Sequence, residues 1–274
     1  MTTLQKLVKY LAIGFAIFLC LVIINTIIRG VQITTDSFDF INNKKDEPTE
    51  IENYSNYIKY DGDITYLDVD VNASNLIIKT GDELAVKTEN KNIKISNENS
   101  KLKIIDKSKK IVNNKVKDLV VTIPEDMFFE RVNISTGAGK VSINGINADS
   151  LEMELGAGKV EIENIYSDNT KIETGAGNVE IKNSSLNDLD LELGVGEINI
   201  SAYITGNSSI ESGIGALNLN LLDSSSMYKF DFEKGLGEIT VNGEKITGNK
   251  VIGDGDNYIK VRGGIGSIKI NATE

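Results

Sequence analysis

The chain has 274 residues, of which 40% are hydrophobic and 25% charged, the balance of an ordinary folded protein. Its 40 acidic residues outnumber the 29 basic ones and give a net charge of −11, which disfavours nucleic acid and other polyanions as partners. The sequence contains no His and one Cys, which excludes histidine-based catalysis, histidine metal sites and intrachain disulfides.

The first predicted element is a transmembrane helix at residues 10–28. These nineteen residues, YLAIGFAIFLCLVIINTII, carry no charge and at about 1.5 Å per residue span most of a ~30 Å hydrocarbon core. A cleaved signal peptide is the alternative, although the apolar run is longer than a usual signal core and no small-x-small cleavage site follows it. Lys6 and Lys9 precede the span, so the positive-inside rule puts residues 1–9 in the cytoplasm and the C-terminal part of this single-pass protein outside it.

A polar linker is predicted at residues 29–60, where charged residues, Asn and Pro48 alternate without a sustained period. From Ile64 onward, short alternating runs such as ITYLDVDV and KLKIID are separated by Asp, Asn, Ser and Gly, which is typical of strands joined by turns. We therefore divide the remaining chain into an N-terminal β region at 61–134 and a repeat region at 135–274.

The repeat region contains seven copies of Gly-x-Gly, and the first four intervals between them are nineteen residues long. The later intervals of twenty-two and twenty-nine residues predict inserted loops. Positions three before, four after and six after the first glycine are apolar in every copy, as at Val141, Val160 and Val179. A fixed period with constant apolar positions predicts a parallel β-solenoid, an all-β fold of stacked coils. The copies begin at Gly137, Gly156, Gly175, Gly194, Gly213, Gly235 and Gly264.

Each Gly-x-Gly is predicted to be the corner at which two short strands of a coil meet. The alternation of inward and outward positions breaks at the second glycine, where a Cβ would hinder the bend. The residue between the glycines is apolar in every copy, so we expect it to point inward; these residues are Ala138, Ala157, Ala176, Val195, Ile214, Leu236 and Ile265. The alternative fold is an antiparallel sandwich in which each Gly-x-Gly is a hairpin turn.

A phosphate-binding loop is the competing interpretation of Gly-x-Gly-Lys, and the sequence argues against it. Such a loop needs Ser or Thr after the lysine, but Val141 and Val160 follow here. It also needs a helix next, where this sequence has a strand pattern, and it occurs once in a domain rather than seven times.

A column of carboxylates stands two residues before the first glycine, in outward phase. We call it the glutamate column, and its members are Glu154, Glu173, Glu192, Glu211 and Glu233. With stacked coils about 4.8 Å apart, the column is interpreted as a solvated acidic face, and binding of divalent cations is the alternative. No residue is predicted to be catalytic, to bind a cofactor or to hold a metal ion.

The stretch DLVVTIPEDMFFERVNISTGAGKVSINGINADSLEMELGAGKVEI resembles the bacterial putative-adhesin family, membrane-associated domains of unknown function with β-strand repeats. The shared order is a strand ending at Ile123 and Pro124, a Ser-Thr-Gly-x-Gly strand pair, and repeats of Leu-x-x-x-Gly-x-Gly. The resemblance implies a parallel β-solenoid attached to the cell envelope and implies no catalytic residue.

We therefore expect a membrane-anchored cell-surface protein that is not an enzyme and needs no cofactor. It would act as an adhesin-like or scaffold domain, with an unknown protein or cell-wall partner. The alternative is a cell-envelope stress sensor or regulator acting through a membrane partner. Glycan hydrolysis by two carboxylates is a third and weaker interpretation, because the sequence locates no cleft for it.

Overall fold

The computed structural model describes residues 56–60, 62–108 and 116–273. The transmembrane helix predicted at 10–28 and most of the predicted linker lie outside these residues. The described residues form strands and one single-turn 3-10 helix, which confirms the all-β prediction. No helix within these ranges has the length and apolar character that a membrane crossing requires.

The centre of the fold is a parallel stack of coils. Residues nineteen apart pair in register, as Val179 does with Ile198 and Ile198 does with Leu217. This parallel register confirms that neighbouring repeats lie over one another, and it is incompatible with hairpins at the Gly-x-Gly motifs. The strands continue around the corners, so that three long elements carry the first five repeats: β8 (Phe128–Asn187), β9 (Leu189–Thr205) and β10 (Asn207–Ser224).

Two further coils precede the first repeat. Strands β2 and β3 pair in parallel with the start of β8, where Val69 meets Ile134 and Ile78 meets Ile143. Strands β6 and β7 pair in parallel with the outer edges of β2 and β3. The elements of this end are β1 (Asn56–Lys59), β2 (Tyr66–Val71), β3 (Asn75–Gly81), β4 (Ala85–Thr88), β5 (Ile93–Glu98), β6 (Lys101–Asp106) and β7 (Asp118–Pro124). Strand β1 falls within the segment predicted as linker, so the sheet begins earlier than the sequence predicts.

The C-terminal coils stack out of chain order. The seventh repeat pairs with the fifth, Val261 against Ile210, and the sixth repeat pairs with the other side of the seventh, Phe232 against Val261. The prediction that the longer intervals are inserted loops is therefore incomplete, because the chain skips one coil position and fills it later. The elements are the 3-10 turn (Ser225–Met227), β11 (Tyr228–Glu233), β12 (Glu238–Val241), β13 (Glu244–Lys245), β14 (Lys250–Ile252), β15 (Asn257–Arg262) and β16 (Ile265–Thr273).

Antiparallel strands cover both ends of the stack. At one end β5 pairs with β6, β4 pairs with β7, and β1 lies on β4. At the other end β13 pairs with β12 and β14 with β11. Open edges of a solenoid attract further strands, so these caps close the stack against pairing with other chains.

A single apolar core runs through the whole stack, from Ile64 to Ile270. The constant apolar columns supply its ribs, and at the C-terminal end Phe230 and Phe232 add stacked rings with centroids 5.7 Å apart. Because each coil buries its side chains against its neighbours, the outer surfaces of the strands are held in a fixed register.

Candidate functional site

The glycine corners are built by close packing of one backbone on the next. In six of the seven corners the second glycine lies at positive φ, for example +147° at Gly177, which L side chains rarely adopt; Gly237 is the exception. A Cβ on Gly177 would also collide with the carbonyl oxygen of Gly158 in the neighbouring coil. The strand continues beyond this corner through Val179 and Ile181, with no helix to receive a phosphate. The motif is therefore a structural corner.

The residues between the glycines point to solvent, so the prediction that they point inward is wrong. The exposed fractions are 37% for Val195, 53% for Ile214, 52% for Ile265 and 87% for Leu236. The chain bends at the second glycine, and the alternation of inward and outward side chains changes there. The side chain just before that glycine therefore projects outward from the corner. We call these four residues the apolar row.

The members of the apolar row lie in adjacent coils. Val195 pairs with Ile214, Ile214 pairs with Ile265, and the amide of Leu236 donates to the carbonyl of Gly264 at 3.0 Å. At about 4.8 Å per coil, the row is about 14 Å long. The out-of-order stacking is what places Ile265 beside Ile214. Along the same line the first three coils carry only alanine, so bulk is confined to the C-terminal half.

The glutamate column follows one side of the corners and is interrupted near its end. Arg262 pairs in register with Glu211 on one side and Glu233 on the other. Its Nε donates to Oε2 of Glu233 at 3.0 Å, and Lys260 Nζ lies 2.6 Å from Oε1 of the same carboxylate. Hydrogen bonds from Lys260 and Arg262 hold the pKa of Glu233 below its usual range.

The other glutamates of the column have different surroundings. Glu173 forms an ion pair with Lys171 at 2.6 Å, and Glu154 accepts from Ser135 Oγ at 3.3 Å. Glu192 and Glu211 lie beside the apolar row and are exposed. Within the described ranges, no group of three or more Asp, Glu, Cys or His side chains could hold a metal ion.

The other side of the apolar row is less uniform. Glu197 and Glu238 stand at its two ends, and the small residues Ala216 and Ser267 lie between them in register. Small neighbours leave the flanks of Ile214 and Ile265 open to solvent. The surface is thus a ridge of aliphatic side chains bordered by carboxylates, which can bury apolar area against a partner and attract positive charge.

The sequence carried a usable signal for this ridge. A glycine at positive φ turns the chain, and two glycines that flank one residue leave that residue without neighbours along the strand. The alternation of inward and outward positions along a strand does not reveal the exposure of the middle residue. It assigns that residue to a regular strand, although the chain bends next to it.

Among curated proteins, none is similar enough to count as a relative. Two solved structures show partial similarity. A "putative cell adhesion protein" from Clostridium sporogenes ATCC 15579 has 19% identity and a TM-score of 0.34, over 79% of this chain and 98% of the other. A "putative adhesin" from Bacteroides fragilis NCTC 9343 has 15% identity and a TM-score of 0.35, over 79% of this chain and 97% of the other.

A family model described as Toastrack DUF4097 matches residues 40–271. This match confirms the resemblance to a known family of domains of unknown function. The chain belongs to the Toastrack DUF4097 family, a domain of unknown function.

Proposed function

We propose that the chain is a membrane-anchored cell-surface protein that binds a partner protein along the apolar row, as an adhesin-like or scaffold domain without catalytic activity. The observation that carries this proposal is the line of four exposed aliphatic side chains on adjacent coils. The predicted span at 10–28 would hold the domain at the membrane.

The apolar row is suited to binding because its members are contiguous and rigidly spaced. Single exposed aliphatic residues are common on protein surfaces, whereas a continuous exposed patch marks an interaction site. Parallel backbone pairing fixes Val195, Ile214 and Ile265 in register, so little conformational entropy is lost when a partner docks. Aliphatic side chains supply no nucleophile, acid or base, which supports binding over catalysis at this surface.

The charges around the row define the chemistry of the partner. Glu192 and Glu211 border one side, Glu197 and Glu238 stand on the other, and the chain carries a net charge of −11. A matching partner segment presents apolar side chains flanked by Lys or Arg, which would form rim ion pairs and be steered toward this face.

A site-specific crosslinking experiment tests the proposal in the full-length chain in intact cells. A photo-reactive amino acid is placed at position 214, and the matched control carries it at position 251, where Val251 is equally exposed at 53% on the covering strand β14. We expect one discrete cross-linked protein from position 214 and none from position 251. Mass spectrometry should locate the cross-link in an apolar segment flanked by Lys or Arg.

A second variant makes the result specific to the row. Ile265→Asp leaves residue 214 in place but puts a charge beside it, so the cross-linked species should be lost while the melting temperature of the domain changes little. Retention of the species in Ile265→Asp, or an identical species from position 251, would contradict the proposal.

A further inference from the structure

The dipeptide Asn-Gly occurs twice in the chain, and the two copies lie in different surroundings. Asn144-Gly145 lies inside the continuous strand β8, within the stack of coils. Asn242-Gly243 is the two-residue turn that joins β12 to β13 in the cover of the C-terminal end. The same pair of residues is therefore present once in a stacked strand and once in a surface turn.

The surface turn has the backbone conformation of a type I′ hairpin. The φ angle is +47° at Asn242 and +81° at Gly243. Both residues are exposed, and no atom lies within 4 Å of the place where a Cβ on Gly243 would be. The turn thus projects into solvent, and nothing crowds its glycine.

The backbone nitrogen of Gly243 is free to react. In a two-residue turn the flanking residues make the cross-strand bonds, here Val241 with Glu244. The N–H of Gly243 accordingly donates no hydrogen bond within the part of the chain that the structure describes. After losing its proton, this nitrogen can attack Cγ of the preceding Asn side chain and close a five-membered ring. Glycine favours this step because it has no side chain to block the approach and the widest choice of backbone angles.

The side-chain amide of Asn242 is held in a way that assists such an attack. Its Oδ1 accepts a hydrogen bond from the backbone N–H of Ala272 at 2.9 Å. A fixed donor at this oxygen stabilises the negative charge that develops there when a nucleophile adds to Cγ. Nδ2 of Asn242 has no hydrogen-bond partner among the described residues, so the leaving group is not retained.

The buried copy of the dipeptide is constrained by the coils around it. Oδ1 of Asn144 accepts from Nδ2 of Asn164 in the next coil at 2.7 Å. On the other side, a Cβ on Gly145 would collide with the side chain of Thr80. Ring closure requires the backbone to rotate, and the parallel pairing of the adjacent Ile143 opposes that rotation. Asn144 is therefore a natural control for Asn242 within the same chain.

We propose that Asn242 is a site of spontaneous deamidation. Hydroxide takes the proton of the Gly243 amide, the nitrogen bonds to Cγ of Asn242, and the Cγ–Nδ2 bond breaks to release ammonia. Water then opens the resulting succinimide at either carbonyl and leaves aspartate or isoaspartate at position 242. Water is the only reagent consumed and ammonia the only by-product. This reactivity goes beyond the proposed function, because Asn242 is not part of the apolar row.

The two products affect the cover of the stack differently. Aspartate keeps an acceptor oxygen for the N–H of Ala272 and keeps the turn. Isoaspartate adds a methylene to the backbone, which a two-residue turn does not accommodate in register, so β13 separates from β12. The outer edge of β12 then becomes available to another strand.

The test follows both Asn-Gly sites in one sample of the full chain, kept in solution with detergent at mildly alkaline pH. Peptide mapping by mass spectrometry measures the conversion of each Asn over time. In the folded chain Asn242 should convert at least about tenfold faster than Asn144. In denaturant the two rates should be similar, because both dipeptides follow a β-branched residue, Ile143 or Val241, and only the fold distinguishes them.

Gly243→Ala should slow the conversion of Asn242 and leave that of Asn144 unchanged. Gly248→Ala is the matched control, because Gly248 is also exposed, at a φ of +73° with open space around it, and it should leave both rates unchanged. If Gly243→Ala fails to fold, the comparison of the two sites in the unaltered chain decides alone. Conversion of Asn242 no faster than that of Asn144 in the folded chain, or an equal preference for Asn242 in denaturant, would overturn the proposal.

Discussion

Nη1 of Arg262 lies 3.5 Å from Oε2 of Glu211, although 51 residues separate them in the chain. The contact exists because the seventh repeat occupies the coil position directly after the fifth. On its other side Arg262 meets Glu233 of the sixth repeat, so a cation separates two carboxylates that would be neighbours if the repeats stacked in chain order.

The first prediction concerns this interruption of the glutamate column. Arg262→Glu would align Glu211, residue 262 and Glu233 as three like charges, and we expect a lower melting temperature. Because the side chains are exposed, salt screens their repulsion, and the loss should shrink between low and about 1 M ionic strength. Lys229→Glu is the control, since it makes the same charge change at an exposed position of β11. Equal melting temperatures of the two variants at low salt would contradict this account.

The second prediction concerns the repeat as a unit of folding. Deletion of residues 156–174 removes one period of nineteen residues and joins Leu155 to Gly175 in unchanged register. We expect a shorter stack with the same β-rich circular dichroism spectrum, one cooperative unfolding transition and a reduced melting temperature.

Deletion of residues 156–169 is the matched control. It removes fewer residues but joins the coils out of phase, so apolar side chains would meet outward positions of the next coil. The smaller deletion should therefore be the more harmful. If the in-phase deletion abolished the cooperative transition and the out-of-phase deletion did not, coils would not be the units of this fold.

The ribs of the core could be predicted from the sequence because they depend on local information. Val141, Val160 and Val179 recur at one spacing, and stacking follows from that period. The order of the last coils could not be predicted in the same way. Ile210, Phe232 and Val261 occupy the same apolar column, so any of them fits beside any other. The spacing of apolar residues in the sequence therefore does not indicate which two are adjacent in the stack.

The surface features, too, could be predicted from the sequence only in part. Alternation predicts the outward phase of the glutamate column, but it does not predict the apolar row, because the bend at the second glycine changes the phase. On strand β2, Tyr66 and Asp68 share a face by spacing alone. That Lys101 and Arg131 flank Tyr66 depends on strand order, which is set by long-range pairing.

The third prediction separates two effects at a corner glycine, the positive φ of its backbone and its close contact with the neighbouring coil. Gly177 has φ of +147° and packs against the carbonyl of Gly158, whereas Gly62 has φ of +149° with open space around it. Gly62→Ala should cost only the strain of the backbone angle, roughly 1–3 kcal/mol. Gly177→Ala should cost more than about 3 kcal/mol in the free energy of unfolding, since the coils must also move apart. Equal losses in denaturant unfolding would show that coil contact contributes nothing.

The fourth prediction concerns a buried carboxylate in the N-terminal coils. Asp106 accepts hydrogen bonds from Ser74 Oγ at 2.9 Å, Ser108 N at 2.9 Å and Ala73 N at 3.2 Å. Burial acts to raise the pKa of Asp106, but hydrogen bonds from Ser108, Ser74 and Ala73 outweigh it and lower the pKa below the ordinary 3.8. The lowered pKa means that its contribution to stability is present above pH 3.8 and is lost as the pH falls through the folded-state value.

Asp106→Asn should therefore lower the free energy of unfolding by about 1–3 kcal/mol at neutral pH, because the amide puts a donor where the site supplies donors. The difference from the unaltered chain should narrow below pH 3.8. Asp126→Asn makes the same substitution at an exposed position and is the control, and it should change the free energy of unfolding at neutral pH by no more than about 0.5 kcal/mol. A difference between Asp106→Asn and the unaltered chain that stays constant down to pH 2 would contradict the assignment.

The fifth prediction concerns alkaline stability and depends on Tyr228, which is fully buried with its ring stacked 5.7 Å from that of Phe230. Burial, aided by the charge of Asp223, raises the pKa of Tyr228 from 10.0 to about 12.

Since the folded-state pKa is raised, the contribution of Tyr228 to stability is complete below pH 10 and is lost as the pH rises toward 12, by about 2–3 kcal/mol in all. Tyr228→Phe should lose less stability than the unaltered chain across this window. Tyr166→Phe makes the same substitution at an exposed tyrosine and is the control, and it should change the free energy of unfolding at neutral pH by no more than about 0.5 kcal/mol. Ultraviolet titration provides the independent check, because Tyr228→Phe must remove a tyrosine that ionises well above pH 10, and an unchanged ionisation curve would show that the pKa of Tyr228 is not raised.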